Sequence, residues 1–200
     1  MQRRTFLKTA IAGLFPAPFI ATRAWAAPKP YVIGPKGAKI TYSFLLSGTE
    51  HRGTVPVNAS QISIDPDNLA ASRVEVSANV RRAKTGLIFA TEALKSASML
   101  HAKAHPNARF VTTSVRLGPQ GSISKGAVIT GDLTLRGVTH SIRFDTSVFR
   151  PEGSAAHDLS ALTIRMRGSL SRKTFGINGY QDLVADTVRM DIDAEIRAAS

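Results

Sequence analysis

The chain has 200 residues, 43% of them hydrophobic, and 26 basic against 14 acidic residues, for a formal charge of +12. Without a cysteine it has no disulfide and no thiolate metal ligand, so hydrophobic burial and a closed hydrogen-bond network must hold it together. The basic excess permits weak attraction to an anionic membrane surface, whereas no arginine-rich helix or cluster of stacking aromatics points to nucleic acid.

Residues 1–26 read "MQRRTFLKTAIAGLFPAPFIATRAWA", with Arg3-Arg4, a short apolar run and a small-x-small end at Ala24-Trp25-Ala26. This is the pattern of a cleaved export signal. Arg3-Arg4 ahead of Thr5-Phe6-Leu7-Lys8 is of the twin-arginine type, with Gln2 where Ser or Thr is usual. The mature protein is then expected in the periplasm as a single domain, residues 27–200. Losing Arg3, Arg4, Lys8 and Arg23 lowers the formal charge from +12 to +8. No later stretch reaches the ~18 consecutive apolar residues of a spanning helix, so the mature chain is expected to have no transmembrane segment.

Beyond residue 30 the dominant pattern is alternation with period two, which predicts strands. Ile40, Tyr42 and Phe44 share a face in "AKITYSFLL", and Val74, Val76, Ala78 and Val80 do so in "RVEVSANV". Around 86–104 the pattern changes: Leu87, Ala90, Leu94 and Ala97 follow helical spacing, Thr91, Glu92 and Lys95 give a polar side, and Pro106 ends the segment. Alternation resumes in "RFVTTSVRLG", where Phe110, Thr112 and Ser114 oppose Val111, Thr113 and Val115. "GDLTLRGVTHSIRF" (131–144) reads as two paired strands about a short link, with Leu133, Leu135, Ile142 and Phe144 facing one interior and Gly137 supplying conformational freedom in the turn. "LTIRMRGSL" places Leu162, Ile164, Met166 and Leu170 on one face, and "TVRMDIDAEIRA" sets Val188, Met190, Ile192, Ala194 and Ile196 against charged residues. Turn formers such as Asp65-Pro66-Asp67-Asn68 and Gly118-Pro119-Gln120-Gly121 separate these runs.

One-sided strands suit an antiparallel all-β fold, closed as a barrel or packed as a sandwich. Strands of ten or more residues exceed about 30 Å, a length that favours a tall barrel, and eight strands leave room for one small ligand on the axis.

The segment "GDLTLRGVTHSIRF" resembles the most recognisable stretch of the YceI-like family. Thr85, Leu94, Lys95-Ser96 and "HPNARF" upstream, and Arg172-Lys173 with Phe175-Gly176-Ile177 downstream, are similar to that family's pattern in order and spacing. The resemblance covers about residues 30–197. It implies an extended eight-stranded antiparallel lipocalin-like β-barrel with one short helical segment around 86–104. It also implies a non-enzymatic, periplasmic protein that holds a long-chain isoprenoid lipid, a polyprenyl or isoprenoid quinone, in the barrel as carrier or sequestering protein. No cofactor is implied beyond such a ligand. Phe110, Leu133, Leu135 and Ile142, with Phe144, Ile164, Met166 and Leu170, are the candidate wall residues. His105 is the candidate polar contact at the rim.

Several positions depart from the family pattern: Ala90-Thr91 and Ala93 before Leu94, Leu46-Ser47-Gly48-Thr49 after the first long strand, His105 before the proline, and Thr174 before Phe175-Gly176. A filled barrel acting as an interaction module, or a barrel for another amphipathic ligand such as a fatty acyl chain, is therefore the alternative. Catalytic and metal readings are weaker. His140 and Ser141 are neighbours on a strand and point to opposite faces, so they do not form a nucleophile system with Asp145. His101 and His105, with His140 or His157, match no metal-site spacing. Arg165, Arg167, Arg189 and Arg197 read as a solvated exterior.

Overall fold

The computed structural model describes residues 28–121, 125–155 and 158–199. The candidate export signal (1–26) and His157 lie outside the described residues. Among those described, nine strands form one antiparallel sheet: β1 (Lys29–Leu46), β2 (Thr49–Ile64), β3 (Arg73–Asn79), β4 (Lys84–Thr85), β5 (Asn107–Leu117), β6 (Ala127–Leu135), β7 (Val138–Phe149), β8 (Ala161–Ser171) and β9 (Thr187–Ala198). The order β1-β9-β8-β7-β6-β5-β3-β2 closes through pairing of β2 with β1, and β4 adds two residues beside Gly53 and Thr54 of β2. The result is an eight-stranded closed barrel with one short additional strand, which leaves the main sheet no free edge.

Local chemistry explains the strand connections. The β1–β2 and β6–β7 links each have two left-handed residues, Ser47 and Gly48 (φ +50° and +82°) and Arg136 and Gly137 (+53° and +77°). Two successive left-handed residues give the hairpin turn whose twist matches the flanking strands, and glycine takes the second position without penalty. The expected helical segment contains α1 (Ile88–Lys95), which ends at Ser96 in an extended conformation. Residues 96–105 continue as hydrogen-bonded turns, with Leu100 N–H donating to the Leu94 carbonyl and Ala102 N–H to that of Lys95.

Three strands change which face points inward part-way along. The pairing register shifts between Thr112 and Ser114 in β5, Val57 and Ala59 in β2, and Ile33 and Ala38 in β1. An extra residue in one strand bends it and increases its twist, which helps long strands coil into a barrel. In β5 the outcome is visible in burial: Thr112 is buried, Thr113 and Ser114 are both exposed, and Val115 and Leu117 return to partial burial. β8 and β9 have no such shift and pair continuously from Ala161–Arg197 to Ser171–Thr187. On their outer face Arg165 pairs with Asp193 and Arg167 with Asp191, both at 3.3 Å; exposed pairs of this kind add little stability.

Apolar clusters sit at the two ends of the barrel. Tyr31, Ile64, Leu162 and Ile196 fill one end, where the Tyr31 hydroxyl donates to the Leu159 carbonyl at 2.6 Å. Met99, Leu133, Ile142, Phe144, Phe175 and Ile177 pack at the other, on the β5–β8 side.

Candidate functional site

Between these clusters lies a cavity of about 590 Å³. Every barrel strand contributes inward side chains to its wall, nearly all apolar, such as Ile40, Val57, Val76, Ile129, Met166 and Ile192. A volume of this size and character is that of a site for a small apolar molecule. A fully packed core would have no void of this size.

Glycines position the large aromatic rings of the wall. Phe144 faces Gly168 across the β7–β8 ladder, and Tyr42 faces Gly53 across β1–β2. A Cβ built on Gly168 would come within 2.7 Å of Phe144 Cδ1, and one on Gly53 would overlap the Tyr42 ring. A Cβ on Gly131, which pairs with Thr112, would likewise overlap the Phe110 ring two residues along β5. Each ring thus lies along a neighbouring strand where a side chain is missing. Phe110 and Phe144 meet edge to face at 5.5 Å, a favoured aromatic geometry.

Few polar groups face the lumen. The Tyr42 hydroxyl donates to the Lys84 carbonyl at 2.9 Å, fastening β4 to the wall, and burial pushes this phenol well above its ordinary value. Thr112 is 4% exposed and its hydroxyl has no hydrogen-bond partner.

Arg172, only 2% exposed, organises the loop between β8 and β9. Its guanidinium donates to the carbonyls of Ile177, Gly179 and Val184 at 2.8 Å and of Ala185 at 3.1 Å. Burying a cation is costly unless its donors are satisfied, and the planar guanidinium reaches four carbonyls where an ammonium has only three donors. Behind it, Asp186 accepts from the Ser171 hydroxyl at 2.7 Å and the Lys173 N–H at 3.0 Å, contacts that hold its carboxyl below the usual aspartate range.

The loop held by Arg172 forms one lip of the mouth. Tyr180 and Leu183 line the cavity yet are 50% and 51% exposed; opposite them Phe89 of α1 lines it while 92% exposed. The β1–β2 hairpin braces both lips: Ser47 N–H donates to the Leu183 carbonyl at 2.7 Å, and Gly86 N–H, just ahead of α1, to that of Arg52 at 3.1 Å. Gly179 N–H completes the ring by donating to the Ser98 carbonyl at 2.9 Å.

All eight apolar candidates from the sequence (Phe110, Leu133, Leu135, Ile142, Phe144, Ile164, Met166 and Leu170) lie on the cavity wall. His105 is placed elsewhere. Its ring packs edge-on to His101 at 5.6 Å and lies beneath the β6–β7 turn, where a Cβ on Gly137 would approach it to 2.8 Å. That turn covers the imidazole because Gly137 has no side chain to displace it. His140 is exposed and packs edge-on to Phe175, with Nε2 3.0 Å from the Thr174 carbonyl oxygen. Among the described residues no group of three or more His, Cys, Asp or Glu is placed to hold a metal ion, and no helix is long and apolar enough to cross a membrane.

The candidate set omitted the half of the wall contributed by β1, β2, β3 and β9, and all of the mouth. For β9 the signal was present in its uninterrupted alternation. Arg172 carried no signal beyond its place in the family pattern, since a lone arginine after a strand is ordinarily a surface residue.

Comparison with known proteins gives a consistent picture. Residues 31–196 match the model of the family described as the YceI-like domain. A protein of Ectopseudomonas mendocina named UPF0312 is 33% identical over 140 residues, covering 68% of this chain and 70% of its own. A UPF0312 protein of Vibrio vulnificus is 29% identical over 144 residues, 70% of this chain and 71% of its own. Among solved structures, BcnA of Burkholderia cenocepacia superposes with a TM-score of 0.69 at 17% identity, over 82% of this chain and 99% of that one. A polyisoprenoid binding domain from Saccharophagus degradans gives 0.61 at 9% identity, over 86% and 99%. At these identities the structural matches show a shared fold.

Proposed function

The chain belongs to the YceI-like family, and from that premise we propose that it is a non-catalytic carrier or sequestering protein for a long-chain isoprenoid lipid, a polyprenyl or isoprenoid quinone, working in the periplasm. The observation that carries this is the apolar cavity of about 590 Å³, lined by inward side chains from all eight barrel strands. A cavity of this size has room for an apolar tail of several isoprene units. Each buried methylene contributes about 0.8 kcal/mol, so a tail of this length gives a large gross gain even after the costs of immobilising it. The solved domain described as polyisoprenoid binding supports the choice of ligand class through its fold. The candidate wall residues, Phe110, Leu133, Leu135, Ile142, Phe144, Ile164, Met166 and Leu170, would contact the tail. A polar head would remain near Tyr180 and Thr85 at the mouth.

A fatty acyl chain of similar length is the second reading, favoured by the near absence of polar groups that would tell one tail from another. A filled barrel acting only as an interaction module has no support in a wall that encloses so much empty volume. Mass spectrometry of organic extracts from gently purified protein separates these ideas. One isoprenoid molecule per chain is expected; a fatty acid in its place selects the second reading. An empty protein that also fails to take up either class of lipid rejects both.

A further inference from the structure

We propose that the mouth is also a docking surface for an anionic lipid bilayer, formed by the start of α1 and the loop held by Arg172. Leu87, Ile88 and Phe89 are consecutive and are 42%, 84% and 92% exposed. Around the same opening Tyr180, Leu183 and Leu45 are 50%, 51% and 40% exposed. Six of the eight exposed large apolar side chains among the described residues thus gather at one end of the barrel. Of the other two, Phe149 has the Arg165 guanidinium stacked over its ring at 5.1 Å. A concentration of apolar side chains around an opening marks an interaction site.

Charge identifies the partner. Residues 80–106, which include α1 and the turns after it, carry Arg81, Arg82, Lys84, Lys95 and Lys103 against Glu92, while in the loop 172–186 Arg172 and Lys173 balance Asp182 and Asp186. At the opposite end the loop 65–72 carries Asp65 and Asp67 and no basic residue, the loop 150–160 carries Arg150 with Glu152 and Asp158, and the loop 118–126 carries Lys125. Apolar side chains that insert and basic residues that flank them are the combination by which an interfacial segment binds anionic lipid. A second copy meeting this face head to head would oppose the same cations. Lys29 pairs with Ile64 at the opposite end of the barrel. Because Phe89, Tyr180 and Leu183 belong both to this surface and to the cavity wall, docking would open the lumen directly onto the bilayer. The docking rests on the lipid-carrier reading for its purpose, but it can be measured without any ligand.

The test is co-sedimentation of residues 27–200, which contain every strand of the closed barrel, with vesicles of phosphatidylglycerol and phosphatidylethanolamine or of phosphatidylcholine alone. Binding to the anionic vesicles is expected, weakened by high salt and lost on the neutral ones. Ile88→Asp, a substitution at an exposed position outside the cavity wall, should weaken it about tenfold, as expected when one large apolar side chain no longer inserts. The same variant should keep the wild-type thermal midpoint and its uptake of a fluorescent prenyl probe from solution. Absence of vesicle binding, equal binding to neutral vesicles, or an Ile88→Asp variant that binds as wild type would overturn the proposal. So would a concentration-dependent dimer abolished by Ile88→Asp, which would assign this surface to a second copy. If vesicle binding behaves as expected but no prenyl probe is taken up, the docking surface stands and the ligand is wrong.

Discussion

A methyl group added at Gly168 would meet both the Phe144 ring and the Arg143 carbonyl at 2.7 Å. Gly168→Ala should therefore push Phe144 off the wall and into the lumen, costing about 1–3 kcal/mol as overpacking does. The checks are a lower urea midpoint and reduced uptake of an apolar probe. Thr112 predicts the opposite sign. Its buried hydroxyl has no partner, and removing such a group without changing its shape is neutral or stabilising. Thr112→Val should leave the thermal midpoint unchanged or raise it; a clear fall would mean that the hydroxyl is satisfied in solution. At Arg172, replacement by Met leaves carbonyls of residues 177–185 without donors. A loss of about 3 kcal/mol or more in unfolding free energy is expected from denaturant titration. Arg172→Lys should recover only part of it, because an ammonium cannot reproduce the flat fork.

Among the elements, the loop between β8 and β9 should be acid-sensitive. Asp186 has its carboxyl held below the ordinary aspartate range by Ser171 and the Lys173 N–H. Its contribution is present above the unfolded value near pH 4 and fades as the pH falls through the lower folded value. The stability lost between about pH 4 and pH 2 should accordingly be smaller in Asp186→Asn than in wild type, followed by urea midpoints across that range. Equal acid sensitivity would show that the contact adds nothing. How legible each element was in the sequence follows the same physics. β9 and β8 alternate without interruption, and their inward faces could be read directly. β2 escaped notice because Pro56 and the shift between Val57 and Ala59 break its pattern. β5 showed apolar residues on both faces because the shift at Thr112–Ser114 moves its inward positions from even to odd numbers. Bulges depend on how strands pair, and pairing is a property of the sheet. Arg172 was recognised only as part of a family pattern, because its burial depends on four carbonyls from a loop that folds back over it.

For the molecule as a whole, closure of the sheet turns inward side chains from eight strands into one apolar wall, and the two terminal clusters set how much of the lumen stays empty. Export remains a proposal resting on residues 1–26. Replacing Arg3-Arg4 by Lys-Lys should leave the protein unprocessed in the cytoplasm if the twin-arginine route carries it, read by fractionation; continued export would assign another route. The sole tryptophan, Trp25, falls inside that segment, so a fluorescent lipid can be followed in the processed protein without tryptophan background. The most direct measurement is a binding series of prenyl alcohols of increasing length against the processed protein. A cavity of about 590 Å³ predicts 1:1 binding that tightens with each isoprene unit until the tail fills the lumen and then levels off. Affinity independent of chain length, or no saturable binding at any length, would contradict the barrel as a lipid carrier.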